Sequence, residues 1–198
     1  MNMQPYKIAI VGGIGSGKSV VSKLFRLMGI PVYDCDTEAK RLMNTDSALR
    51  SALIAAIDER VYGNDGSINR AYLSAYMFGN NERVARVNNI VHPAVRTDFK
   101  RWATQVNCSV VAVETAILYE SGMNADVDTI VMVHTPIDMR ISRVIQRDNT
   151  SEQAIRRRMS NQMSDTEIMQ QANQIIYNDG CHSLIAQVKR ILQGIYSK

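Results

Sequence analysis

Residues Gly12–Ser19 read Gly-Gly-Ile-Gly-Ser-Gly-Lys-Ser and match the pattern G-x-x-x-x-G-K-[ST] in full. A short apolar run, Lys7–Val11, comes before this loop, and a run of helical character, Ser19–Met28, comes after it. Between a strand and a helix, such a glycine-rich loop turns its backbone N–H groups toward bound phosphates. The sequence therefore predicts that its first strand, loop and helix bind a nucleoside triphosphate.

Each part of this loop has its own predicted task. The backbone N–H groups form an anion-binding nest, and the helix that follows adds the partial positive charge of its N-terminus. Lys18 is expected to reach the β- and γ-phosphates as a catalytic cation, and the Ser19 hydroxyl to bind Mg²⁺ together with water molecules. The predicted triphosphate-binding residues are Gly13, Ile14, Gly15, Ser16, Gly17, Lys18 and Ser19.

The composition of the chain narrows the class of protein. Its 198 residues, 45% of them apolar and 21% charged, suit one α/β domain with a modest insertion. No apolar stretch is long enough to span a membrane or resembles the core of a signal peptide. The net charge of +4 suits an anionic substrate but is too small to indicate nucleic-acid binding. Three widely spaced cysteines without a C-x-x-C pair favour a reduced, cytoplasmic protein without structural zinc.

Runs of strand character recur along the chain with helical segments between them. They are Lys7–Val11, Pro31–Tyr33, Ser109–Val113, Thr129–His134 and Gln174–Tyr177. The third and fourth are almost continuously apolar, as is typical of parallel strands covered on both faces. Ser164–Glu167 forms a capping box that opens a short helix, and Ser183–Ile195 has the spacing of a closing amphipathic helix. The alternation predicts a five-stranded parallel α/β sheet.

The segment 36–105 differs because it contains no convincing strand. Apolar spacing predicts a helix over Ala48–Val61 and another around Tyr72–Met77. Its aromatic residues and methionines suit core packing, although an insertion between strands two and three is also where a nucleotide-dependent kinase would hold its acceptor. His92 precedes Pro93, which places this candidate acceptor-binding residue at a predicted helix break.

Carboxylates follow two of the predicted strands. Asp34 and Asp36 come directly after strand two, and ligands of open α/β sheets bind outside the carboxyl ends of the strands. Asp34 is the candidate group that orients an acceptor hydroxyl and accepts its proton. For Asp36, a helix cap before Thr37 and a contact with substrate or metal are both open. Glu114 ends strand three as either a Mg²⁺ ligand through water or a structural hydrogen-bonding residue.

Arginines are concentrated after strand four. Arg140, Arg143 and Arg147 are spaced three and four residues apart and so share one helix face. A mobile segment with such residues can close over a triphosphate and neutralise charge in the transition state. A solvated basic face is the structural alternative, particularly for the run 156–158.

These residues together resemble the dephospho-coenzyme A kinase family. The resemblance rests on the order of several motifs along nearly the whole chain, of which the phosphate loop is generic and the ordered set specific. The motifs are Gly12–Ser19, Asp34-Cys-Asp36, Gly66-Ser-Ile-Asn-Arg70, Leu73, Phe78, His92-Pro93, Ala116-Ile-Leu-Tyr-Glu120, Pro136, Arg143, Arg147-Asp148, Gln162, Ala172 and Ile176-Tyr-Asn-Asp-Gly180.

The resemblance implies a three-layer P-loop kinase fold with a helical substrate-binding insertion and an arginine-bearing lid. It implies a core at about 1–35, 106–138 and 172–198, an insertion at 36–105 and a lid at 139–171. The implied reaction is the ATP-dependent phosphorylation of the ribose 3′-hydroxyl of dephospho-coenzyme A, the last step of coenzyme A synthesis, with Mg²⁺ as cofactor.

The resemblance also implies roles for individual residues. Asp34 would be the general base and Arg147 a catalytic lid residue. The remaining implied contacts are Arg143, Asn178 and Gly180 with ATP, and Asp36, Arg70 and His92 with the acceptor. Positions that depart from the family pattern are Asn69, Glu114, Ala116, Arg140 and Asn173.

Another small-molecule or nucleotide kinase of the same fold is the main alternative. A GTPase switch would normally carry an Asn-Lys-x-Asp motif, which the sequence lacks. We expect two small-molecule substrates and neither nucleic acid nor membrane as partner, while the oligomeric state stays open.

Overall fold

The computed structural model describes residues 4–160 and 162–197. Its strands are β1 (Tyr6–Val11), β2 (Val32–Asp34), β3 (Val110–Glu114), β4 (Thr129–His134) and β5 (Gln174–Tyr177). Its α-helices are α1 (Lys18–Leu27), α2 (Cys35–Thr45), α3 (Ser47–Ala56), α4 (Arg70–Met77), α5 (Asn81–Gln105), α6 (Ile137–Asp148), α7 (Glu152–Met159), α8 (Asp165–Gln171) and α9 (Leu184–Tyr196). Short 3₁₀ turns occur at Glu59–Val61 and Met123–Asp126.

The strands form one parallel sheet in the order β2-β3-β1-β4-β5 within the described residues. The predicted five-stranded parallel α/β sheet is therefore confirmed, and each strand lies within a residue or two of its predicted position. Because every strand runs in the same direction, their carboxyl ends share one edge. The phosphate loop leaves β1 at this edge, where Asp34 ends β2 and Glu114 ends β3.

The sheet is buried on both faces. Alternate residues of the strands, including Ile8, Ile10, Val131 and Val133, join one apolar cluster with α1 and α9. The residues that these two helices add to the cluster are Val21, Phe25, Val188, Ile191 and Leu192. Residues on the opposite face, such as Ala9 and Val113, are also fully buried. The continuous apolar strands of the sequence thus reflect a sheet without a solvent-facing side.

The chain divides into two compact units. The core unit contains the residues up to Asp34 and those from Ala103 onward, and so holds the whole sheet. The helical unit, Cys35–Trp102, contains α2 to α4 and most of α5. Its only pairing of strand type among the described residues is an isolated antiparallel bridge between Tyr62 and Ile68.

Two helix boundaries predicted in the helical unit are wrong. The helix predicted over Ala48–Val61 ends at Ala56, and a separate 3₁₀ turn follows. The Asp58 side chain accepts a hydrogen bond from the N–H of Arg60 and so caps that turn, which interrupts the helix although the apolar spacing continues.

The predicted helix break at His92 is also wrong. The α5 helix runs without interruption through Pro93, so His92 lies in the middle of a 25-residue helix. Proline lacks one N–H and disturbs one turn, and buried contacts on both sides can offset that cost. Val91 and Val95, which flank Pro93, are both buried.

Several other helix predictions are confirmed. Ser164 and Glu167 exchange the hydrogen bonds of a capping box at the start of α8. Ser183 caps α9, which ends one residue beyond the predicted closing helix. No helix in the described parts of the chain is long and apolar enough to cross a membrane.

Candidate active site

The phosphate loop has the backbone conformation that its glycines permit. Gly12, Gly15 and Gly17 have φ angles of 150°, 78° and 88°, in a region that other residues rarely adopt. The α1 helix then begins at Lys18 with neither a side-chain cap nor an acidic residue in its first turn. Its N-terminal N–H groups and positive dipole end therefore face the loop without a competing anion of their own.

Lys18 folds back over the loop. Its ammonium group donates hydrogen bonds to the carbonyl oxygens of Gly12 at 2.6 Å and Gly13 at 3.3 Å. Ser19, the next residue, is exposed at the second position of α1. The loop thus places one cation and one hydroxyl group beside the helix N-terminus, which are the groups that the sequence assigns to phosphate and Mg²⁺.

Two carboxylates stand beside this loop. Asp34 and Glu114 are register partners at the ends of β2 and β3, and Ile10 of β1 pairs with Glu114 on its other side. Burial raises the pKa of Glu114, and the neighbouring Asp34 carboxylate raises it further, while the positive charge of Lys18 opposes both effects. The charges of Asp34 and Lys18 therefore both act on the Glu114 carboxyl at the carboxyl edge of the sheet.

A polar cluster supports the other side of the loop. The Asn178 amide donates to the Ser16 carbonyl at 2.8 Å, and a Cβ placed on Gly17 would overlap that amide nitrogen. The fully buried Thr135 hydroxyl lies 2.9 Å from the same Ser16 carbonyl and 3.0 Å from the Asn178 carbonyl. Arg143 donates to the Asn178 carbonyl at 3.2 Å. The structure thus brings Arg143 and Asn178, both predicted ATP-binding residues, directly beside the loop.

Gly180 lies in the turn after β5. Its φ of 84° requires a glycine or a similarly permissive residue. The preceding Asp179 accepts hydrogen bonds from the backbone N–H groups of Cys181 and His182 and lies 2.8 Å from Nδ1 of His182. These hydrogen bonds lower the pKa of Asp179 to about 2, so its carboxylate is ionised and holds this turn in one shape.

Arg140 points to a different part of the loop than Arg143. Its side chain is buried. Its Nε donates to the Ile14 carbonyl at 2.8 Å, and its Nη1 donates to both carboxylate oxygens of Asp165 at 2.8 Å. The structural alternative, a solvated basic face, is therefore wrong for Arg140.

Arg147 lies at the exposed end of α6. Its side chain is 63% exposed and pairs with the adjacent Asp148 at 2.7 Å, an interaction that raises the pKa of Arg147. Arg158 reaches the same carboxylate at 3.5 Å, and Arg156 pairs with Glu152 within its own helix. Asn149, with a φ of 48°, follows α6 and lets the chain turn toward α7.

The predicted acceptor-binding residues occupy separate helices of the helical unit. Arg70 is exposed in the first turn of α4, and His92 is half-buried within α5. Asp36 is exposed in the first turn of α2, which begins at Cys35. The interpretation of Asp36 as a cap for a helix beginning at Thr37 is therefore wrong.

Sequence reasoning missed three supporting residues. The signal available for Thr135 is a polar residue directly after the apolar strand β4. Gln162, whose side-chain oxygen accepts from the Ile14 N–H at 3.1 Å, enters the sequence analysis only through the family pattern. The local sequence of Asp165 predicts only a helix cap, and nothing in it indicates Arg140 as its partner.

Comparison with known proteins places this arrangement in one family. The family model described as dephospho-CoA kinase matches residues 6–183. A dephospho-CoA kinase from Bacteroides fragilis is 42% identical over 193 residues, which cover 97% of this chain and 94% of the relative.

Solved structures share the fold. A Thermus thermophilus protein superposes with a TM-score of 0.81 at 29% identity, covering 98% of both chains. A dephospho-CoA kinase from Campylobacter jejuni superposes with a TM-score of 0.70 at 20% identity, covering 96% of both chains. The predicted P-loop kinase fold is thereby confirmed.

Proposed function

The chain belongs to the dephospho-CoA kinase family, and we propose that it performs this family's reaction with the residues described above. The enzyme transfers the terminal phosphoryl group of ATP to the ribose 3′-hydroxyl of dephospho-coenzyme A, which gives coenzyme A and ADP. The observation that carries this proposal is the shared sheet edge, where the phosphate loop follows β1 and Asp34 ends β2.

The reaction needs a group that takes the proton of the acceptor hydroxyl. In our proposal the Asp34 carboxylate orients the 3′-hydroxyl and accepts this proton as its oxygen bonds to the γ-phosphorus. The bond between the γ-phosphorus and the β–γ bridging oxygen breaks, and ADP leaves. Lys18 stabilises the charge on the β- and γ-phosphates, after exchanging its contacts with the loop carbonyls for contacts with phosphate oxygens.

In our proposal, residues of the core unit bind ATP, the phosphoryl donor. The N–H groups of the loop hold the phosphates, and Arg143, fixed against the Asn178 carbonyl, faces the same side of the loop at Gly17. A Cβ on Gly17 would lie 3.9 Å from Nη1 of Arg143, so this guanidinium is close to where the phosphates bind. Asn178 and Gly180 line the region of the adenine.

Mg²⁺ is proposed as the cofactor, with Ser19 as its protein ligand. The residues fit such an ion, because the exposed Ser19 hydroxyl lies at the helix N-terminus and the carboxylates of Asp34 and Glu114 stand at the neighbouring strand ends. No group of three His, Cys, Asp or Glu side chains in the described regions could hold a metal alone. Mg²⁺ would therefore complete its shell with phosphate oxygens and water, and it would supply charge neutralisation there.

The acceptor and lid assignments complete the proposal. Asp36, Arg70 and His92, on three helices of the helical unit, would contact dephospho-coenzyme A. Arg147, at the end of α6 in the segment 139–171, would approach the transferring phosphoryl group when that segment closes. This requires the exposed Arg147–Asp148 pair to open, which costs little because such surface pairs contribute about 0–1 kcal/mol.

The proposed setting is the cytoplasm, with two small molecules as the only required partners. In support, Cys108 and Cys181 are free thiols that are exposed to solvent. A reducing compartment preserves such thiols. Nucleic acid and membrane have no part in the proposed reaction.

The experiment that tests the proposal is a coupled ADP-release assay with ATP, Mg²⁺ and a panel of acceptors. Dephospho-coenzyme A should support turnover, whereas coenzyme A, whose 3′-position already carries phosphate, should not. Good turnover with a nucleoside, a nucleoside monophosphate or a sugar, but none with dephospho-coenzyme A, would contradict the proposal and favour another kinase of the same fold.

A further inference from the structure

Arg140 is a buried cation to which the proposed reaction gives no role. It is 5% exposed, and its guanidinium bridges the Ile14 carbonyl and the Asp165 carboxylate. Burying an arginine is unfavourable unless its charge and its donors are both matched. Here Asp165 matches the charge, and the Ile14 carbonyl accepts from a second donor. The contact therefore fixes the geometry between α6, the start of α8 and the phosphate loop.

The tip of the loop lies directly against this contact. A Cβ on Gly13 would overlap Nη2 of Arg140, so the guanidinium packs directly against the Gly13 backbone. The Ile14 N–H donates to the Gln162 side chain at 3.1 Å, and the Ile14 carbonyl accepts from Arg140. Both backbone polar groups of Ile14 are thus held by side chains from outside the loop.

We propose that Arg140, oriented by Asp165, is a positioning residue that holds the tip of the phosphate loop in the conformation that binds the triphosphate. The inference rests on the proposed function for the use of the loop, but Arg140 itself touches no reacting atom. Asp165 is the first residue of α8, whose capping box fixes its backbone. The same contact therefore links the loop to the segment proposed as the lid.

The test compares Arg140→Gln, Asp165→Asn and the double variant. Binding of a non-hydrolysable ATP analogue, measured by calorimetry without acceptor, should weaken about tenfold in Arg140→Gln, the size of one lost charge-assisted hydrogen bond. Asp165→Asn should have a smaller effect in the same direction. The double variant should be no worse than Arg140→Gln alone, because both residues act through one contact. The KM for dephospho-coenzyme A should change by less than about twofold.

A second pair of variants separates positioning from general destabilisation. Gly13→Ala places a methyl group against the Arg140 guanidinium and should weaken binding of the analogue. Combining it with Arg140→Gln, whose side chain is shorter, should cost less than the sum of the two single effects. A loss of thermal stability alone predicts no such relief.

Three results would overturn the inference. One is a lowered Tm in Arg140→Gln with unchanged analogue binding. Another is fully additive effects of Arg140→Gln and Asp165→Asn. The third is fully additive effects of Gly13→Ala and Arg140→Gln. If Arg140→Gln does not fold, Asp165→Asn carries the test, since it preserves the shape of a side chain that is 29% exposed. Calorimetry without acceptor is independent of turnover, so failure of the wild-type protein to phosphorylate dephospho-coenzyme A would contradict the proposed function alone.

Discussion

Asp34 and Glu114 are register partners at the carboxyl ends of the adjacent parallel strands β2 and β3. Two carboxylates at such a position influence each other, and the Asp34 charge contributes to the raised pKa of Glu114. Their environments differ because Glu114 ends an interior strand of the sheet and Asp34 ends the edge strand. This difference leads to separate expectations for the two residues.

Replacing Asp34 should affect chemistry and leave donor binding intact. Asp34→Asn keeps the shape of the side chain but cannot accept the hydroxyl proton, so kcat should fall by about a hundredfold or more. The affinity for ATP, measured by calorimetry, should be unchanged. Glu114→Gln removes the carboxylate at the neighbouring strand end and shows whether the loss is specific to Asp34. An unchanged kcat in Asp34→Asn would contradict the role of Asp34 as the proton acceptor.

Replacing Glu114 should stabilise the fold at neutral pH. Its pKa is raised in the folded state, so the folded protein binds this proton more tightly than the unfolded chain. The favourable contribution is complete below the ordinary value of 4.5 and is lost as pH rises through the folded-state pKa. Glu114→Gln mimics the protonated form and should raise the Tm at pH 7 by about 2 °C. The difference should disappear toward pH 4, and a constant difference at all pH values would contradict this cause.

ATP binding should depend on the polarity of residue 178, whose side chain contacts the phosphate loop. The Asn178 amide donates to the Ser16 carbonyl, and in Asn178→Asp a carboxylate oxygen would oppose that carbonyl. Asn178→Asp should therefore weaken ATP binding by more than about tenfold, whereas Asn178→Ala, which leaves the Thr135 hydroxyl in place, should cost less.

Asn80→Asp is the matched control for that substitution. The Asn80 side-chain oxygen accepts from the Arg83 N–H, and a carboxylate can do the same. ATP titrations monitored by calorimetry should show no change for this variant. Equal losses in Asn178→Asp and Asn178→Ala would mean that the polarity at this position is unimportant.

Arg147 should act in the transition state more than in acceptor binding. Its guanidinium is exposed and pairs only with its neighbour Asp148 among the described side chains, so truncation should leave the Tm almost unchanged. Arg147→Ala should lower kcat about a hundredfold, with a much smaller change in the KM for dephospho-coenzyme A. Arg156→Ala, which removes another exposed arginine, paired with Glu152, should change neither constant. An effect of Arg147→Ala confined to the acceptor KM would contradict the role.

The strands could be predicted from the sequence because their signals are local. Runs such as Val110–Glu114 are almost entirely apolar and are bounded by polar residues. Helix boundaries in the helical unit are harder to predict from the sequence because local and tertiary effects compete there. The apolar spacing continued past Ala56, but the Asp58 side chain capped a new turn. At Pro93 the local signal for a break was overridden within a helix whose flanking valines are buried.

The sequence by itself determined the phosphate loop, the order of strands and helices, and the placement of Asp34 at a strand end, because each depends on residues that are near neighbours in the chain. The tertiary structure alone decided what surrounds that loop. Arg140 and Gln162 are separated from Ile14 by more than a hundred residues, and only folding brings them to its backbone and Asp165 to Arg140. Arg140 has the sequence spacing of a surface arginine, but its side chain is buried. Burial is possible because the Asp165 carboxylate and the Ile14 carbonyl, both remote in sequence, accept its hydrogen bonds.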